Sequence, residues 1–547
     1  MIALLRARQE GRLGAGSLQR NLVAGLVVGV VALPLAMAFA IASGARPEQG
    51  IYSAIVAGIC VSLFGGSQVQ IAGPTGAFIV LLAEITRQHG LSGLSTATFL
   101  AGLILIALGT VRLGQLVRFL PTSVILGFTA GIAVVIALGQ CTAFLGLPEL
   151  TGEHAGAKML SLTGQLVHLD LQTTLVGVTS LATLLLCGHG KLARIPGPLA
   201  ALCLGTAVQA AFGFTDVATI GSAFGGIPTG LPALQFPDLS PGRMVELLGP
   251  AFAIASLGAV ESLLSAVVAD GMLGSRHDSD QELVGQGLAN VVAPFFGGFA
   301  VTGALARTAT SVRYGGNSPL AGLIHCLLLT LVLLFLAPLA KSVPLATLAA
   351  ILLVVAWNMS ELPQILAFLR SSPRAENLIL LCTFLLTVFT DLILAVQVGM
   401  ALAAIDFLRK MAGTVQLSRH DLQATVPDAL PAGVVAYTVD GPYFFAAAER
   451  FEHALSEIQA EAKVLILVFR WVPFIDSTGL LSLGRLAERL KKKGTRLVLA
   501  GVTERAQGEL MRAGLIERLG WENVHSSLDG ALEAILASDG LAPRNNS

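Results

Sequence analysis

The segment Ile71-Ala72-Gly73-Pro74-Thr75-Gly76-Ala77 interrupts a long apolar region of the chain. Its glycines permit extended backbone, and Pro74 suits the first turn of a helix, where the missing amide hydrogen costs nothing. The segment therefore predicts a short extended stretch followed by a helix that begins inside the apolar region. The first N–H groups of such a helix have no partner within the helix itself.

A second segment, Val301-Thr302-Gly303-Ala304-Leu305-Ala306-Arg307, has the same character. Each segment follows a Phe-Gly-Gly triplet, at Phe64–Gly66 and at Phe296–Gly298. Recurrence by chance is one alternative in a chain with 60 glycines. The shared context after each triplet favours an internal repeat, because paired Gly-interrupted short segments are typical of transporter binding sites.

The composition indicates a membrane protein. Of the 547 residues, 54% are hydrophobic and only 12% are charged, whereas about 25% of a soluble domain is charged. Apolar runs near the roughly 20 residues that cross a bilayer recur from Asn21 to Lys410. The chain is thus predicted to be an α-helical polytopic membrane protein with about fourteen spans. The predicted spans are 21–42, 50–64, 74–88, 94–111, 122–146, 172–189, 197–213, 248–269, 281–296, 303–313, 318–340, 343–358, 376–391 and 393–409.

The two Phe-Gly-Gly copies lie seven spans apart. An odd offset places the second copy upside down in the membrane, which is the 7+7 inverted-repeat architecture of secondary transporters. If the N-terminus is cytoplasmic, most Lys and Arg residues of the connecting segments also fall on the cytoplasmic side. Both termini are therefore predicted to be cytoplasmic.

The pattern changes after Lys410. Short β-type runs at 433–439, 463–469 and 496–500 alternate with helical stretches near 446–460, 478–493, 503–513 and 528–537, which predicts a small α/β domain. The predicted organisation is an N-terminal cytoplasmic segment 1–20, a transmembrane transport domain 21–410, a cytoplasmic domain 411–540 and a flexible tail 541–547.

Two half-helices that meet head to head would direct their N–H groups and positive dipole ends at one point, which favours an anion. Arg307 adds a permanent charge with a planar fork suited to carboxylate, sulfate or bicarbonate. A Gly-rich packing contact, with Arg307 reaching out to a membrane interface, is the alternative. The predicted substrate-binding residues are Gly73, Pro74, Thr75, Gly76, Ala77, Thr302, Gly303, Ala304, Ala306 and Arg307.

Glu261 is alone in the apolar run 251–269, where an ionised carboxylate is costly unless it is paired or protonated. Ser262 and Ser265 are predicted to hydrogen-bond it, and Arg307 to compensate its charge. An anion bound at Arg307 would then favour protonation of Glu261 and couple transport to a proton. A purely structural pair between Glu261 and Arg307 is the alternative.

The segment Asp476-Ser477-Thr478-Gly479-Leu480 lies between a predicted strand and a helix. Capping of the helix by Asp476 or Ser477 explains it sufficiently. A regulatory role for Ser477 or Thr478 is a second interpretation, because a phosphate there would lie at a helix N-terminus.

Several functions receive no support. Lys and Arg number 34, as do Asp and Glu, so no basic excess indicates nucleic-acid binding. The sequence contains no GxxxxGK[ST] or HExxH motif and no credible triad, which argues against an enzyme. The six cysteines lie in apolar segments without a CxxC pair, so neither a metal nor a cofactor is predicted.

Four features resemble the SulP/SLC26 anion transporter family. They are Leu33–Ala40, Gly73-Pro74-Thr75, Gly258–Ser262 and Asn290–Gly298, and the tail with its DSTG loop resembles a STAS domain. The resemblance implies two intertwined seven-helix repeats that form core and gate domains, with an elevator-like movement of the core. It also implies a homodimer, contact with membrane lipid, and a cytoplasmic STAS domain that serves assembly or binds a regulatory partner.

Within that family the chain looks similar to the bacterial C4-dicarboxylate uptake branch, through Ser262–Met272, Glu282–Gly298, Trp357–Glu361 and Gly441–Glu449. This similarity implies proton-coupled uptake of succinate, fumarate or related acids across a bacterial inner membrane.

Other functions stay open. Sodium-coupled bicarbonate members of the family are similar in carrying an acidic residue with a hydroxyl four positions on, here Glu261 and Ser265. Sulfate or bicarbonate transport, coupled to protons or sodium, is therefore an alternative. Leu35 stands where many relatives carry a polar residue. An anion sensor that signals through the STAS domain belongs to a different class, as does an anion channel.

Overall fold

The structure is a computed structural model that describes residues 2–114, 121–150, 152, 155–187, 195–390, 392–414, 416–420, 433–443 and 462–538. The chain divides into two compact units, Met1–Ala401 and Leu402–Ser547. The predicted boundary at Lys410 lies slightly later in the chain than this division. Each unit is described separately.

The first unit is helical. Its helices are α1 (Ala3–Gln9), α2 (Ala15–Ala42), α3 (Pro47–Phe64), α4 (Ile79–Thr110), α5 (Thr122–Leu145), α6 (Ala155–Gln165), α7 (Leu171–Cys187), α8 (Gly197–Phe212), α9 (Ile220–Phe224), α10 (Pro241–Glu246), α11 (Leu248–Leu273), α12 (Ser279–Val292), α13 (Leu305–Arg313), α14 (Leu320–Phe335), α15 (Leu345–Met359), α16 (Leu362–Ser371) and α17 (Arg374–Phe389). Helix α18 (Leu392–Thr414) begins in this unit and continues beyond it.

A helix lies at the position of every predicted span. Gly90, with φ of 69°, breaks α4 into two parts, which correspond to the predicted spans 74–88 and 94–111. Among the described residues, six helices are long and apolar enough to cross a membrane, or seven if the bent pair of α6 and α7 is counted as one span. Others are shorter apolar helices, such as α8 and α14. The short helices α6, α9, α10 and α16 were not predicted, because polar residues or short length hide them from a search for apolar runs.

Two short strands, β1 (Ala72–Gly73) and β2 (Thr302–Gly303), pair in antiparallel register, with Ala72 opposite Gly303 and Gly73 opposite Thr302. The 3-10 helix Gly76–Phe78 follows β1 and leads into α4, while α13 follows β2. The opposite directions of β1 and β2 are those expected of corresponding segments in an inverted repeat.

The first Phe-Gly-Gly turn is held by a buried carboxylate on α12. The Oε2 atom of Glu282 accepts hydrogen bonds from the backbone N–H groups of Gly66 and Ser67, both at 2.9 Å, and Oε1 accepts one from Gln286 at 2.9 Å. A side chain at Gly66 would collide with the carbonyl oxygen of Asp278. The glycine is therefore needed because two backbones approach closely here.

The second Phe-Gly-Gly turn is also held by α12. Gly297 has φ of 69° and ends the 3-10 helix that follows α12. Just beyond it, the side-chain amide of Asn290 donates to the carbonyl of Val301 and accepts from its N–H, both at 2.9 Å. Helix α12 thus holds the residues that precede β1 and those that precede β2.

The second unit contains a four-stranded sheet with the order β3 (Gln416–His420), β4 (Val434–Asp440), β5 (Val464–Trp471) and β6 (Arg496–Ala500). β3 pairs antiparallel to β4, and the other two pairings are parallel. Within the described residues of this unit, four helices accompany the sheet, α19 (Ser477–Lys492), α20 (Glu504–Arg512), α21 (Leu515–Leu519) and α22 (Leu528–Ser538).

This sheet is covered on both faces. Alternate residues of β5 point to opposite sides, so that Leu467 packs in the cluster containing Leu483, whereas Ile466 packs in the cluster containing Leu532. The three predicted strands are confirmed, and β3 is an additional strand. The predicted helix near 446–460 and the tail 541–547 lie outside the described residues.

The buried carboxylate of Glu282 gives a test of this fold. We expect Glu282→Ala to lower the free energy of unfolding by roughly 2–5 kcal/mol, because three buried donors lose a charged acceptor. The thermal midpoint in detergent, followed by size-exclusion chromatography, measures the effect.

Two controls calibrate that measurement. Glu282→Gln keeps a carbonyl oxygen as an acceptor and should lose less stability, while Glu84→Ala removes an exposed carboxylate that pairs with Arg87. A Glu282→Ala protein as stable as the Glu84→Ala protein would contradict the structural role of Glu282.

Candidate functional site

The pairing of β1 with β2 brings the beginnings of two helices together. The N–H of Ala304 donates to the carbonyl of Ile71 at 2.8 Å, and the N–H of Ile71 donates to the hydroxyl of Thr308 at 3.0 Å. The predicted meeting of the two Gly-rich segments is therefore present in the structure. N–H groups at both helix beginnings are concentrated in one region, where an anion is favoured.

The start of the first helix differs from the prediction. Pro74 was expected in the first helical turn, but the helix begins at Gly76, and Thr75 is extended with φ of −128° and ψ of 157°. The reason is that the carbonyl group of Pro74 is used elsewhere, as an acceptor for the guanidinium group of Arg307.

Arg307 is buried in this region, with only 3% of its surface exposed. Its Nη2 atom donates to the carbonyl of Pro74, while its buried Nη1 atom has no hydrogen-bond partner among the residues that the structure describes. This arrangement does not fit the alternative in which the side chain reaches out to a membrane interface. A buried guanidinium N–H without a protein acceptor is a donor for an anion.

Gly73 makes room for that guanidinium group. A Cβ atom at this position would lie 2.5 Å from Nη1 of Arg307, and the backbone φ of 153° is one that other residues rarely adopt. Gly73 therefore acts by permitting close approach of Arg307 to β1.

Glu261 on α11 lies beside the same segment. Its Oε2 atom accepts a hydrogen bond from the hydroxyl of Thr75 at 3.0 Å. Across the described residues, Glu261 and Arg307 do not form a direct ion pair; each contacts one of the neighbouring residues Thr75 and Pro74. The alternative of a direct structural pair is therefore not observed, and the two charges flank one short piece of backbone.

The predicted hydrogen bonds from Ser262 and Ser265 to Glu261 are wrong. The Ser262 hydroxyl is 2.6 Å from the hydroxyl of Thr302 and accepts from the N–H of Gly303 at 3.2 Å. Ser265 donates to the side-chain carbonyl of Gln70 at 3.2 Å. Adjacent residues of a helix face different directions, which explains Ser262, whereas Ser265 lies one turn from Glu261 and its hydroxyl is bound by Gln70 instead. Both serines hold neighbouring segments against α11.

Gln70 was missed by the sequence analysis. It is buried, and its side-chain amide donates to the carbonyl of Ser262 at 3.0 Å. A side chain at Gly303 would collide with this amide. The sequence signal for Gln70 was a polar residue immediately before Ile71 in an apolar region. Its partner Ser262, nearly two hundred residues later, was not predictable.

The remaining predicted site residues lie around this centre. Ala77 and Ala304 are buried, whereas Ala306 on α13 is exposed. A Cβ atom at Gly76 would lie 2.7 Å from the sulfur of Met359 and 3.3 Å from Cγ1 of Val355. Helix α15 thus covers the beginning of the first helix.

In the second unit, Asp476 caps α19, since its carboxylate accepts from the N–H of Gly479 at 2.7 Å. This confirms the capping interpretation. Ser477 and Thr478 are exposed in the first turn of that helix, so their hydroxyl groups are accessible for modification.

We expect Gly73→Ala to weaken anion binding at least about tenfold, because the new methyl group displaces the guanidinium of Arg307 and a charge-assisted hydrogen bond is worth roughly 1.5–3 kcal/mol. Binding of sulfate and succinate to the detergent-solubilised protein by calorimetry measures the loss. Gly139→Ala is the matched control, since a Cβ atom there meets nothing within 4 Å. Equal affinities for the two variants would show that Arg307 does not contact the ligand from its position beside Gly73.

Comparison with known proteins identifies the family. A model of the sulfate permease family matches residues 18–383, and a model of the STAS domain matches residues 428–531. The chain is 44% identical to the putative sulfate transporter YvdB of Bacillus subtilis over 504 residues, which cover 92% of this chain and 95% of that protein.

Two further similarities support the same family assignment. The chain is 30% identical to the bicarbonate transporter BicA of Picosynechococcus over 541 residues, covering 94% of each protein. The solved structure of SLC26A9 has the same fold, with a TM-score of 0.85 at 21% identity, over 95% of this chain and 90% of that one. These named relatives are transporters rather than enzymes, in agreement with the sequence analysis. The chain therefore belongs to the sulfate permease (SulP/SLC26) family and carries a C-terminal STAS domain.

Proposed function

We propose that this multi-pass anion transporter takes up C4-dicarboxylates such as succinate and fumarate, with protons as the coupling ion. The observation that carries the proposal is the buried Nη1 atom of Arg307, which has no acceptor in the described part of the protein and lies beside two helix beginnings. A carboxylate oxygen supplies the acceptor that this N–H group needs.

Glu261 provides the coupling to protons. The positive charge of Arg307 favours the ionised form of a nearby carboxylate, and a bound anion offsets that charge. Glu261 then takes up a proton as the anion binds, and loses it when the anion leaves. Its hydrogen bond from Thr75, the residue next to the Pro74 contact of Arg307, supports this linkage.

The position of Ser265 supports protons rather than sodium as the coupling ion. Its hydroxyl donates to Gln70 rather than lying with Glu261, so the acidic residue and this hydroxyl do not form a joint oxygen site. Sodium prefers several oxygen ligands together, by analogy with other hard cations.

Sulfate and bicarbonate are the alternative substrates, and both anions appear in the names of the relatives, a putative sulfate transporter and a bicarbonate transporter. Helix dipoles and an arginine accept several anions. The resemblance of Glu282–Gly298 and Trp357–Glu361 to the dicarboxylate branch favours the four-carbon acids. The same proposal includes a location in the inner membrane with both termini cytoplasmic. It also includes a homodimer and an elevator-like movement of the core.

Signalling through the STAS domain is the second class of function. The exposed hydroxyls of Ser477 and Thr478 favour it, since a regulatory partner or a kinase has access to them. Transport that persists in a variant ending after Thr414 would count against a sensor whose output is the STAS domain. A channel is distinguished by its failure to accumulate an anion against a gradient.

We expect purified protein in proteoliposomes to accumulate labelled succinate or fumarate when an inward proton gradient is imposed, and to do so without sodium. Sulfate and bicarbonate are tested in parallel. Succinate and fumarate uptake that is absent, or that ignores the proton gradient, would overturn the proposed coupling and substrate.

Two variants separate binding from coupling. Glu261→Gln should remove the contribution of this residue to the pH dependence of uptake while substrate binding persists, because the amide cannot titrate. Arg307→Ala should weaken binding about tenfold to a hundredfold through loss of the charge-assisted hydrogen bond.

Matched controls use exposed residues of the same kind. Arg313→Ala removes an exposed arginine from the same helix, and Glu246→Gln neutralises an exposed carboxylate. Site variants that behave like these controls would show that the site is elsewhere.

A further inference from the structure

His325, on α14, is a buried imidazole that the proposed transport cycle does not use. It has 0% exposure, and neither ring nitrogen has a hydrogen-bond partner among the described residues. A buried polar group left without a partner costs about 1–3 kcal/mol. A histidine kept at such a position is expected to have a function beyond packing.

The ring lies where α14 crosses α3. A Cβ atom at Gly58 would lie 3.7 Å from Cδ2 of His325, and one at Gly322 would collide with the hydroxyl of Ser62. That hydroxyl is also buried and has no partner in the described chain. Gly58 and Gly322 therefore allow two unpartnered polar side chains, His325 and Ser62, to lie in one interior region. We name this pair of side chains the polar seam.

The segment that carries Arg307 lies against the polar seam, since a Cβ atom at Gly322 would lie 3.6 Å from Cδ1 of Ile71, whose N–H donates to Thr308, the residue after Arg307. Cys326, the next residue of α14, and Cys60 on α3 are also buried, and a Cβ atom at Gly58 would collide with the sulfur of Cys326. The other titratable groups on elements packed against α14 are Arg20 on α2, Glu48 and Tyr52 on α3, and Lys341 in the 3-10 helix that follows. Arg20 and Lys341 are exposed, and Glu48 and Tyr52 lie at the opposite end of α3 from Ser62.

Burial and the guanidinium charge both disfavour a charged ring at His325, and of these two only the guanidinium charge is offset when an anion binds. With no anion bound, a second positive charge near Arg307 in this low-dielectric interior is strongly disfavoured. An anion at Nη1 of Arg307 offsets the charge and removes this obstacle. The same event that favours protonation of Glu261 then also favours protonation of His325.

We propose that His325 is a second proton carrier of the transport cycle, so that one dianion moves with two protons and with no net charge. The proposal rests on the proposed function. One proton converts Glu261 from carboxylate to carboxylic acid, and the other converts neutral His325 to imidazolium. Both protons leave when the dianion leaves, which restores the initial charges of both groups.

The native protein in proteoliposomes gives the first test. With the membrane potential clamped to zero by potassium and valinomycin, two protons per succinate predict a steady-state accumulation ratio that rises about a hundredfold per pH unit, because each coupled proton contributes a factor of ten. A rise of only about tenfold per pH unit would overturn the role of His325. This measurement does not depend on whether a variant folds.

His325→Gln gives the second test. The variant should still transport succinate, but with one proton per dianion and a net negative charge. Its accumulation ratio should then change about tenfold for each ~60 mV of imposed potential, whereas that of the native protein should not change. His168→Gln, which alters an exposed histidine, and Ser62→Ala, which removes the other polar group of the seam, should both behave like the native protein.

The outcomes separate the two proposals. A His325→Gln protein that accumulates succinate independently of the potential would overturn the assignment of His325 alone. Native protein that moves no dicarboxylate would overturn the proposed substrate, and the same assay with sulfate, also a dianion, then decides the role of His325. Potential-dependent accumulation by the native protein would overturn the two-proton stoichiometry while the dicarboxylate proposal stands.

Discussion

The pairing of Ala72–Gly73 with Thr302–Gly303 is the interaction on which the rest of the transport unit depends. Backbone outside a helix must find hydrogen-bond partners within the protein when it lies at membrane depth. The two interrupted helices meet this requirement by bonding to each other, which leaves the N–H groups of the following helical turns directed at a common region. Glu282 and Asn290 on one helix then hold the chain that approaches each strand.

The two copies of the repeat contribute unequally to the site. The first supplies backbone, through Gly73 and the carbonyl of Pro74, and the hydroxyl of Thr75. The second supplies the hydroxyl of Thr308 and the charged side chain of Arg307. A repeat in which both copies carried an arginine would place two like charges in one buried region, which is costly. In the described part of the protein, the two Gly-rich segments together contribute one buried arginine, Arg307.

The sequence allowed the helices, the Phe-Gly-Gly repeat and the meeting of the two Gly-rich segments to be predicted, because apolar runs and glycine patterns are local signals. Contacts between distant residues were not predictable in the same way. The hydroxyl groups of Ser262 and Ser265 were assigned to Glu261 because they are near it in sequence, yet Thr302 and Gln70 compete for them. Periodicity indicates which face of a helix a residue occupies, but not which segment crosses that face.

We infer from Arg307 that binding and selectivity belong to different parts of this protein. Its planar fork donates one N–H to the carbonyl of Pro74 and leaves a second buried N–H without an acceptor in the described part of the protein, so the same residue can stabilise the broken helix and offer a donor to an anion. Such a group, like the helix dipoles, distinguishes poorly between carboxylate, sulfate and bicarbonate. Discrimination by size must then come from side chains near the helix beginnings, and Met359 and Val355 of α15 are the ones that contact Gly76. We infer that the anion is attracted by the paired segments and selected by the helix that packs against them.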